Sequence, residues 1–322
     1  MKELMVSICC TTYNHEEYIA AALDSFLMQK TNFHFEVLVH DDASTDKTAE
    51  IIKDYEGKYP DIIKPIYQIE NQYSKGKRTE TFVFAKANSK YISWCEGDDY
   101  WTDPHKLQKQ VDYMENHSEC SLCVHAAKQI MGDKVVACVR PSNRNKSFTT
   151  AEVILGGGGL FATSSMLFPT KLVKNLPEFF LNCSVGDYPL TIYLSLIGKV
   201  YYIDNVMSAY RIMVKNSWSS TIQANPQKYI EHIKMMEKML NQVDEYTNYA
   251  HSNAVKNRIV KYQFNIMLQQ GAFKEIKKVP YKEIYLSLNS KSKLKIFLRQ
   301  YFPGIAQILI NIKRNVNQWA MK

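Results

Sequence analysis

The first hundred residues alternate short apolar runs with stretches in which apolar residues recur every three or four positions. Val6-Ser-Ile-Cys-Cys10, Phe35-Glu-Val-Leu-Val-His40, Ile62 to Tyr67 and Tyr91-Ile-Ser-Trp-Cys95 have the length and β-rich composition of strands. Between them, Glu16 to Lys30 carries Ile19, Leu23, Phe26 and Leu27 at helical spacing. Thr45 to about Tyr59 predicts a second helix with Ser44 or Thr45 as N-cap, and Thr79 to Ala87 a weaker third. Strands alternating with helices imply βαβ units and a mostly parallel sheet covered on both faces. In such sheets a ligand lies beyond the carboxyl ends of the strands.

The polar residues fall at those ends. The first strand runs into Thr11-Thr-Tyr-Asn14, the second into Asp41-Asp-Ala-Ser-Thr-Asp46, and the fourth into Glu96-Gly-Asp-Asp99. Three carboxylates within four residues repel one another, and burying each costs several kcal/mol (about 1–3 or more per group) unless a positive charge joins them. Either water screens them in an ordinary turn or they hold a cation.

Beyond Asp99 the pattern turns antiparallel in character. Leu122 to Ala126, Lys134 to Val139 and Ala162 to Phe168 read as short strands, with Gly156-Gly-Gly-Gly159 among them as a close-approach segment or flap. The glycines lack the strand–GxxxxGK[ST]–helix setting of a P-loop. Asp187-Tyr188 precedes a helical run, Leu190 to Ile197, where Asp187 is also a natural N-cap. Val200 to Ile203 and Val206 to Ile212 read as a closing pair of strands. From about Pro226 the chain becomes helical and rich in Met, Lys and Gln, which puts a boundary near 215–225.

Composition narrows the class. With 322 residues, 46% hydrophobic and 22% charged, the chain is an ordinary globular protein of one large domain plus an appendage. No signal peptide and no membrane-length apolar run is evident, so a cytoplasmic location is expected. Seven scattered cysteines do not form a disulfide framework, and the single CxxC, Cys120 to Cys123, lacks the second pair a zinc site wants. The net charge of +8 is uneven: eleven Lys/Arg against two acids from Lys274 onward give +9, leaving −1 for the rest. Phe297, Leu298, Tyr301, Ile305, Ile308, Leu309, Ile312, Val316 and Trp319 recur at near-helical spacing there, among Lys291, Lys293, Lys295, Arg299, Lys313 and Arg314. Pro303-Gly304 interrupts that pattern or starts a second helix. A basic amphipathic tail of this kind is expected on the inner face of a membrane, with packing on the catalytic domain or on a second subunit, as in a homodimer, the alternative. No nucleic-acid-binding module is evident.

Taken together, TTYNHEEYI, VLVHDDASTDKT, YISWCEGDDYW, VGDYPL and SAYRI, in order over residues 4–215, resemble the family 2 inverting glycosyltransferases of the GT-A fold. The likeness is strongest to bacterial members that build capsule, exopolysaccharide or lipopolysaccharide. The resemblance implies a mixed α/β sheet with helices on both faces. It implies a catalytic domain over 1–220, with residues 1–100 as the nucleotide half and 101–220 as the acceptor half, followed by a helical region over 221–322. Thr11, Tyr13 and Glu16 would line the pocket for the donor's base, Asp42 would hydrogen-bond the base, and Asp41 would support it. Asp98 and Asp99 match the DxD-like pair: Asp98 at ribose and metal, Asp99 on a divalent cation, Mn²⁺ or Mg²⁺, that bridges the diphosphate. Asp187 falls where relatives place the base, with Gly186 in place of the Glu that often precedes it. Arg211 matches a Tyr-Arg pair, and Met213 stands where several relatives carry His.

The residue types suit that chemistry. A nucleoside diphosphate leaves with several negative charges, which a hard cation held by few carboxylates neutralises. An inverting displacement needs one general base, and Asp187 is the candidate. Lys75, Lys77 and Arg78 precede the acidic cluster and either reach donor phosphate or belong to a solvated loop. Glu96 is a candidate acceptor contact, and Trp101 reads as a packing residue or a sugar floor. The expectation is a UDP-sugar-dependent transferase acting on a growing, lipid-linked surface glycan. The alternatives are a non-catalytic nucleotide-sugar-binding or scaffold protein and a sugar nucleotidyltransferase, which would want a Gly-rich basic loop where this chain has Thr-Thr-Tyr-Asn.

Overall fold

The computed structural model describes residues 3–214, 217, 220–222 and 225–305. The chain divides into two compact units, Met1–Lys215 and Asn216–Lys322.

The first unit is built on a ten-stranded sheet. Strands β1 (Leu4–Thr12), β2 (His34–Asp41), β3 (Ile63–Tyr67) and β4 (Tyr91–Glu96) run parallel in the spatial order β3-β2-β1-β4. Helices α1 (Ile19–Leu27), α2 (Thr48–Lys58) and α3 (Thr79–Lys86) connect them. β1 is central, and a central parallel strand must be apolar on both faces. Val6, Ile8 and Cys10 face one core while Ser7 and Cys9 point the other way, all fully buried. α1 buries Ile19, Ala22, Leu23 and Phe26, the 3–4 spacing that predicts it.

The half beyond Glu96 completes the sheet as β4-β9-β6-β10-β5, with β7 and β8 at the side. These are β5 (Tyr100–Trp101), β6 (Cys120–Met131), β7 (Lys134–Val139), β8 (Lys146–Phe148), β9 (Leu167–Pro169) and β10 (Lys199–Arg211). Helices α4 (Lys106–Glu115), α5 (Thr150–Gly156), α6 (Glu178–Leu181) and α7 (Asp187–Ile197) lie between them.

Several sequence expectations change. The helix expected from Glu16 begins only at Ile19, because residues 14–18 form a loop latched to the next one. Neither Ser44 nor Thr45 caps α2. Asp46 accepts the Thr48 N–H at 2.9 Å, while the Ser44 hydroxyl is committed to Asp41 and to the Asn14 N–H. Within the strand expected over Ala162–Phe168, Thr163–Ser165 form a 3₁₀ turn and only Leu167–Pro169 extends. The predicted closing pair of strands is one strand, β10, continuing through Asp204-Asn205 by shifting register. It runs parallel to β6, so this half is mixed, not simply antiparallel. Asp187 is not an N-cap: Gly186 holds that position and Asp187 opens the first turn of α7.

The described residues of the second unit include helices α8 (Pro226–Tyr246), α9 (Ser252–Gln270), α10 (Lys282–Ser287) and α11 (Ser290–Tyr301). Asn225 caps α8 by accepting the N–H groups of Gln227 and Lys228. Phe264, Ile276 and Ile296 form a small core. Helix α11 ends at Tyr301, before Pro303. The tail positions Ile308 to Trp319, with Lys313 and Arg314, lie outside the described residues.

Candidate active site

The register fixes where the polar strand ends go. Thr12 pairs with Asp41, and Thr11 pairs with both His40 and Glu96, so the ends of β1, β2 and β4 lie side by side at one lip of the sheet. The turn after β4 is pressed against β1: the Gly97 N–H donates to the Thr11 carbonyl at 2.9 Å. A Cβ on Gly97 would stand 2.7 Å from Thr12 Oγ1, so this turn carries its acids only if residue 97 is glycine.

The loops after β1 and β2 hold each other. Asn14 Oδ1 accepts the Thr45 N–H at 2.7 Å, Glu16 Oε2 accepts the Lys47 N–H at 3.0 Å, and Asp46 Oδ2 accepts the Glu16 N–H at 3.1 Å. Asn14 and Ala43 adopt positive φ to make these turns. Glu16 therefore closes the latch with its carboxylate, while the Tyr13 ring is left exposed. Asp41 is buried against the Ser44 hydroxyl, and its pKa is raised because burial outweighs that bond. Asp42 is buried too, and its two oxygens accept the N–H groups of Gln72 and Tyr73 at 2.8 and 3.0 Å. Asp42 thereby holds the 71–76 loop.

Asp98 and Asp99 follow Gly97. Asp98 is partly exposed, with Oδ2 4.0 Å from His15 Nε2. Asp99 is wholly buried. Its Oδ1 accepts the Arg211 N–H at 2.9 Å, but its buried Oδ2 has no hydrogen-bond partner. Burial, then Asp98 and Glu96, push the Asp99 carboxyl far above the usual carboxylate range. Arg211 spans the same turn: Nη1 donates to the Asp98 carbonyl, and the guanidinium lies 4.6 Å from the Tyr100 ring centroid and 5.1 Å from that of Tyr18. Among the described residues, no group of three or more His, Cys, Asp or Glu converges as a ready-made metal cage.

Asp187 reaches this neighbourhood from the start of α7. Its charge, with those of Glu96, Asp98 and Asp99, bears on the buried hydroxyl of Tyr210. Burial raises the Asp187 pKa to about 6, against the lowering effect of the Tyr188 N–H and of Arg78. Burial and Asp98 likewise push Glu96 up to about 8. The glycine segment passes close by, with the Gly158 Cβ position 3.7 Å from Asp187 Oδ2.

Three candidate ligand contacts have partners within the protein. Arg78 is tied to Glu80 and to the Cys183 carbonyl in the loop before Asp187. Lys75 pairs with Glu70 in an exposed loop. Trp101 is only 1% exposed: its indole N–H donates to the Ser164 carbonyl, Phe26 packs 4.8 Å away, and Lys106 Nζ sits 3.9 Å over the ring. It is a core residue, not a sugar floor. Glu80 was missed, and Tyr210 was noted only as the first residue of the Tyr-Arg pair. Glu80 reads as an ordinary helical Glu, and its burial depends on a segment a hundred residues away.

A sequence model of the family described as "Glycosyl transferase family 2" matches residues 7–172, just over half the chain. The chain belongs to glycosyl transferase family 2. An uncharacterised protein of Mycobacterium tuberculosis is 33% identical over 215 residues, 67% of this chain and 61% of its own length. A Bacillus subtilis protein named for teichuronic acid biosynthesis, TuaG, is 32% identical over 114 residues, 35% of this chain and 43% of its own. Among solved structures, the mannosyltransferase PcManGT of Pyrobaculum calidifontis, in complex with GDP-Man and Mn²⁺, superposes with a TM-score of 0.60 at 14% identity. That superposition covers 96% of this chain and 87% of the neighbour, and the shared architecture is the GT-A fold.

Proposed function

We propose that this family 2 chain is an inverting glycosyltransferase that uses a nucleoside diphosphate sugar, with UDP as its nucleotide, and extends a bacterial surface polysaccharide. The observation that carries the reading is the shared lip. A carboxylate raised to about 6, Asp187, acts electrostatically on Glu96 and Tyr210, as does the acidic pair whose inner member, Asp99, has a buried, unpartnered oxygen. An orphaned buried carboxylate oxygen is expensive, and a hard cation removes the expense.

Asp99, with Asp98, would hold Mn²⁺ or Mg²⁺, which neutralises charge on the departing diphosphate when bound. One or two protein carboxylates suffice because the diphosphate itself completes the ligand set. Tyr13, Thr11 and the latched loops offer walls for the base, and Asp41 stiffens them through Ser44. Arg211 closes the far side of the acidic turn.

Asp187 acts on the acceptor. Its carboxylate takes the proton of the attacking hydroxyl, and that oxygen bonds to the anomeric carbon from the face opposite the diphosphate. The bond from that carbon to the diphosphate oxygen breaks, and the leaving group keeps the electron pair. A pKa near 6 leaves the group ionised at neutral pH yet more basic than an ordinary Asp.

The surface-glycan acceptor draws on the TuaG relative and on the motif set. Helix α11 supports a membrane-proximal location: Leu294, Phe297 and Tyr301 are exposed on a helix that also carries Lys291 and Lys295. Among the described residues no helix is long and apolar enough to cross a membrane.

A screen of UDP- and GDP-sugars for thermal stabilisation, with and without Mn²⁺, tests the donor. A ligand at a hundred times its Kd stabilises by about 2.7 kcal/mol. With the donor so found, Asp187→Asn is expected to lower turnover by roughly 10²–10⁴-fold while still binding it. Normal turnover by that variant would refute the assignment.

A further inference from the structure

Gly186, immediately before Asp187, has room for a side chain only if Glu80 and Arg78 shift. A Cβ there would overlap Glu80 Oε1 and Arg78 Nη2, the far ends of two residues on another element. Those two form a pair. Arg78 Nε donates to Glu80 Oε1 at 2.9 Å, Nη2 bonds the same oxygen, and Nη1 donates to the Cys183 carbonyl at 2.9 Å. The guanidinium also stacks 5.5 Å from the Phe180 ring centroid. Glu80 is 3% exposed. One buried ion pair thus ties the start of α3 to the segment that delivers Asp187.

A buried pair of this kind is a poor stabiliser, since desolvating two charges consumes most of their attraction. Its placement suggests a different use. The groups bearing on Asp187 are Arg78 and Glu80 from the start of α3, Glu96 at the end of β4, and Cys183 in the preceding loop, while Asp187 in turn acts on Tyr210 of β10. Arg78 is the cation among them.

We propose that Glu80 and Arg78 are positioning residues for Asp187: Glu80 clamps the guanidinium against residues 183–186, and the clamped pair sets the orientation and charge environment of the base. Residue 186 is glycine because the pair occupies the space a side chain would need. Displacing a reacting group by about 1 Å can cost 10²-fold in rate, so such a clamp matters to the chemistry without touching substrate. The inference rests on reading Asp187 as the base.

Carbon-13 NMR of protein labelled at Asp carboxyls tests it without a donor, the Asp187 signal being identified by its loss in Asp187→Asn. Glu80→Gln removes a negative neighbour and is expected to lower the Asp187 midpoint. Arg78→Gln removes a positive one and is expected to raise it, each by roughly half a unit or more. A midpoint that stays put in both folded variants, or moves the same way in both, overturns the proposal.

A stability cycle provides the second arm. Gly186→Ala is expected to lower Tm in wild type and to lower it less in the Glu80→Ala background, because the obstructing carboxylate has gone. Equal losses in the two backgrounds overturn the steric argument. If Asp187→Asn abolishes turnover while the midpoints stay fixed, the positioning role fails alone. If the midpoints move oppositely but Asp187→Asn still turns over the donor found in the screen, the base assignment fails, and the positioning role with it.

Discussion

At the scale of single residues, Asp187 makes the sharpest claim, because burial costs its charged form. Its folded pKa of about 6 stands above the ordinary 3.8, so the folded chain holds that proton more tightly than the unfolded chain does. The group's contribution to stability is therefore present below about pH 4 and is lost as pH rises through 6. Asp187→Asn should raise stability by on the order of 1 kcal/mol at pH 8 and by much less at pH 4, as read by urea denaturation at the two pH values. The same titration should appear as an acid limb in the wild-type rate profile, with activity rising through a midpoint near 6. A variant less stable than wild type at pH 8, or a rate that is flat from pH 5 to 8, would contradict this account of the carboxylate.

Among whole elements, the lip is assembled by loops that bind each other rather than by helix caps. The turn after β1 and the turn after β2 exchange three hydrogen bonds through Asn14, Glu16 and Asp46, which shortens α1 and leaves α2 without the cap its sequence suggested. Helix α11 lends itself to a separate prediction. It buries Ile296 but exposes Leu294, Phe297 and Tyr301, with Phe302 and Ile305 exposed just beyond it. The full chain is expected to sediment with vesicles containing anionic phospholipid and to be released by salt, since each nearby cation contributes about 1 kcal/mol at such a surface. Leu294→Asp with Phe297→Asp should reduce that binding at least tenfold while leaving the fold of the first unit intact. Equal binding to neutral vesicles, or no loss in the double variant, would remove the membrane reading.

Over the molecule as a whole, the sequence was most legible where local pattern and long-range register agree. An apolar run ending in Glu96, Asp98 and Asp99 could be read as a buried strand discharging onto a polar lip, because β4 is apolar on both faces and its end pairs directly with Thr11. Legibility fell where a contact joins distant segments. Glu80 looks like any solvent-facing glutamate until α3 packs its start against residues 183–186. The partners of Arg78 and Trp101 are hidden for the same reason: one donates to a carbonyl 105 residues away, the other to one 63 residues away, and only the packing role of Trp101 is legible locally. β10 was divided in two because Asp204-Asn205 resembles a turn, whereas pairing with β6 carries the strand through it. Family membership depended on none of these, since most of its motifs lie at strand ends that local pattern locates well.

The central claim is that the acidic lip receives a nucleoside diphosphate together with a divalent cation. Calorimetric titration of wild type and Asp99→Asn with UDP and with GDP, each in Mn²⁺ and in EDTA, tests it most directly. The account predicts binding to wild type that needs Mn²⁺, favours UDP, and weakens at least tenfold in Asp99→Asn. Binding that is the same in EDTA and undiminished by the substitution would contradict it.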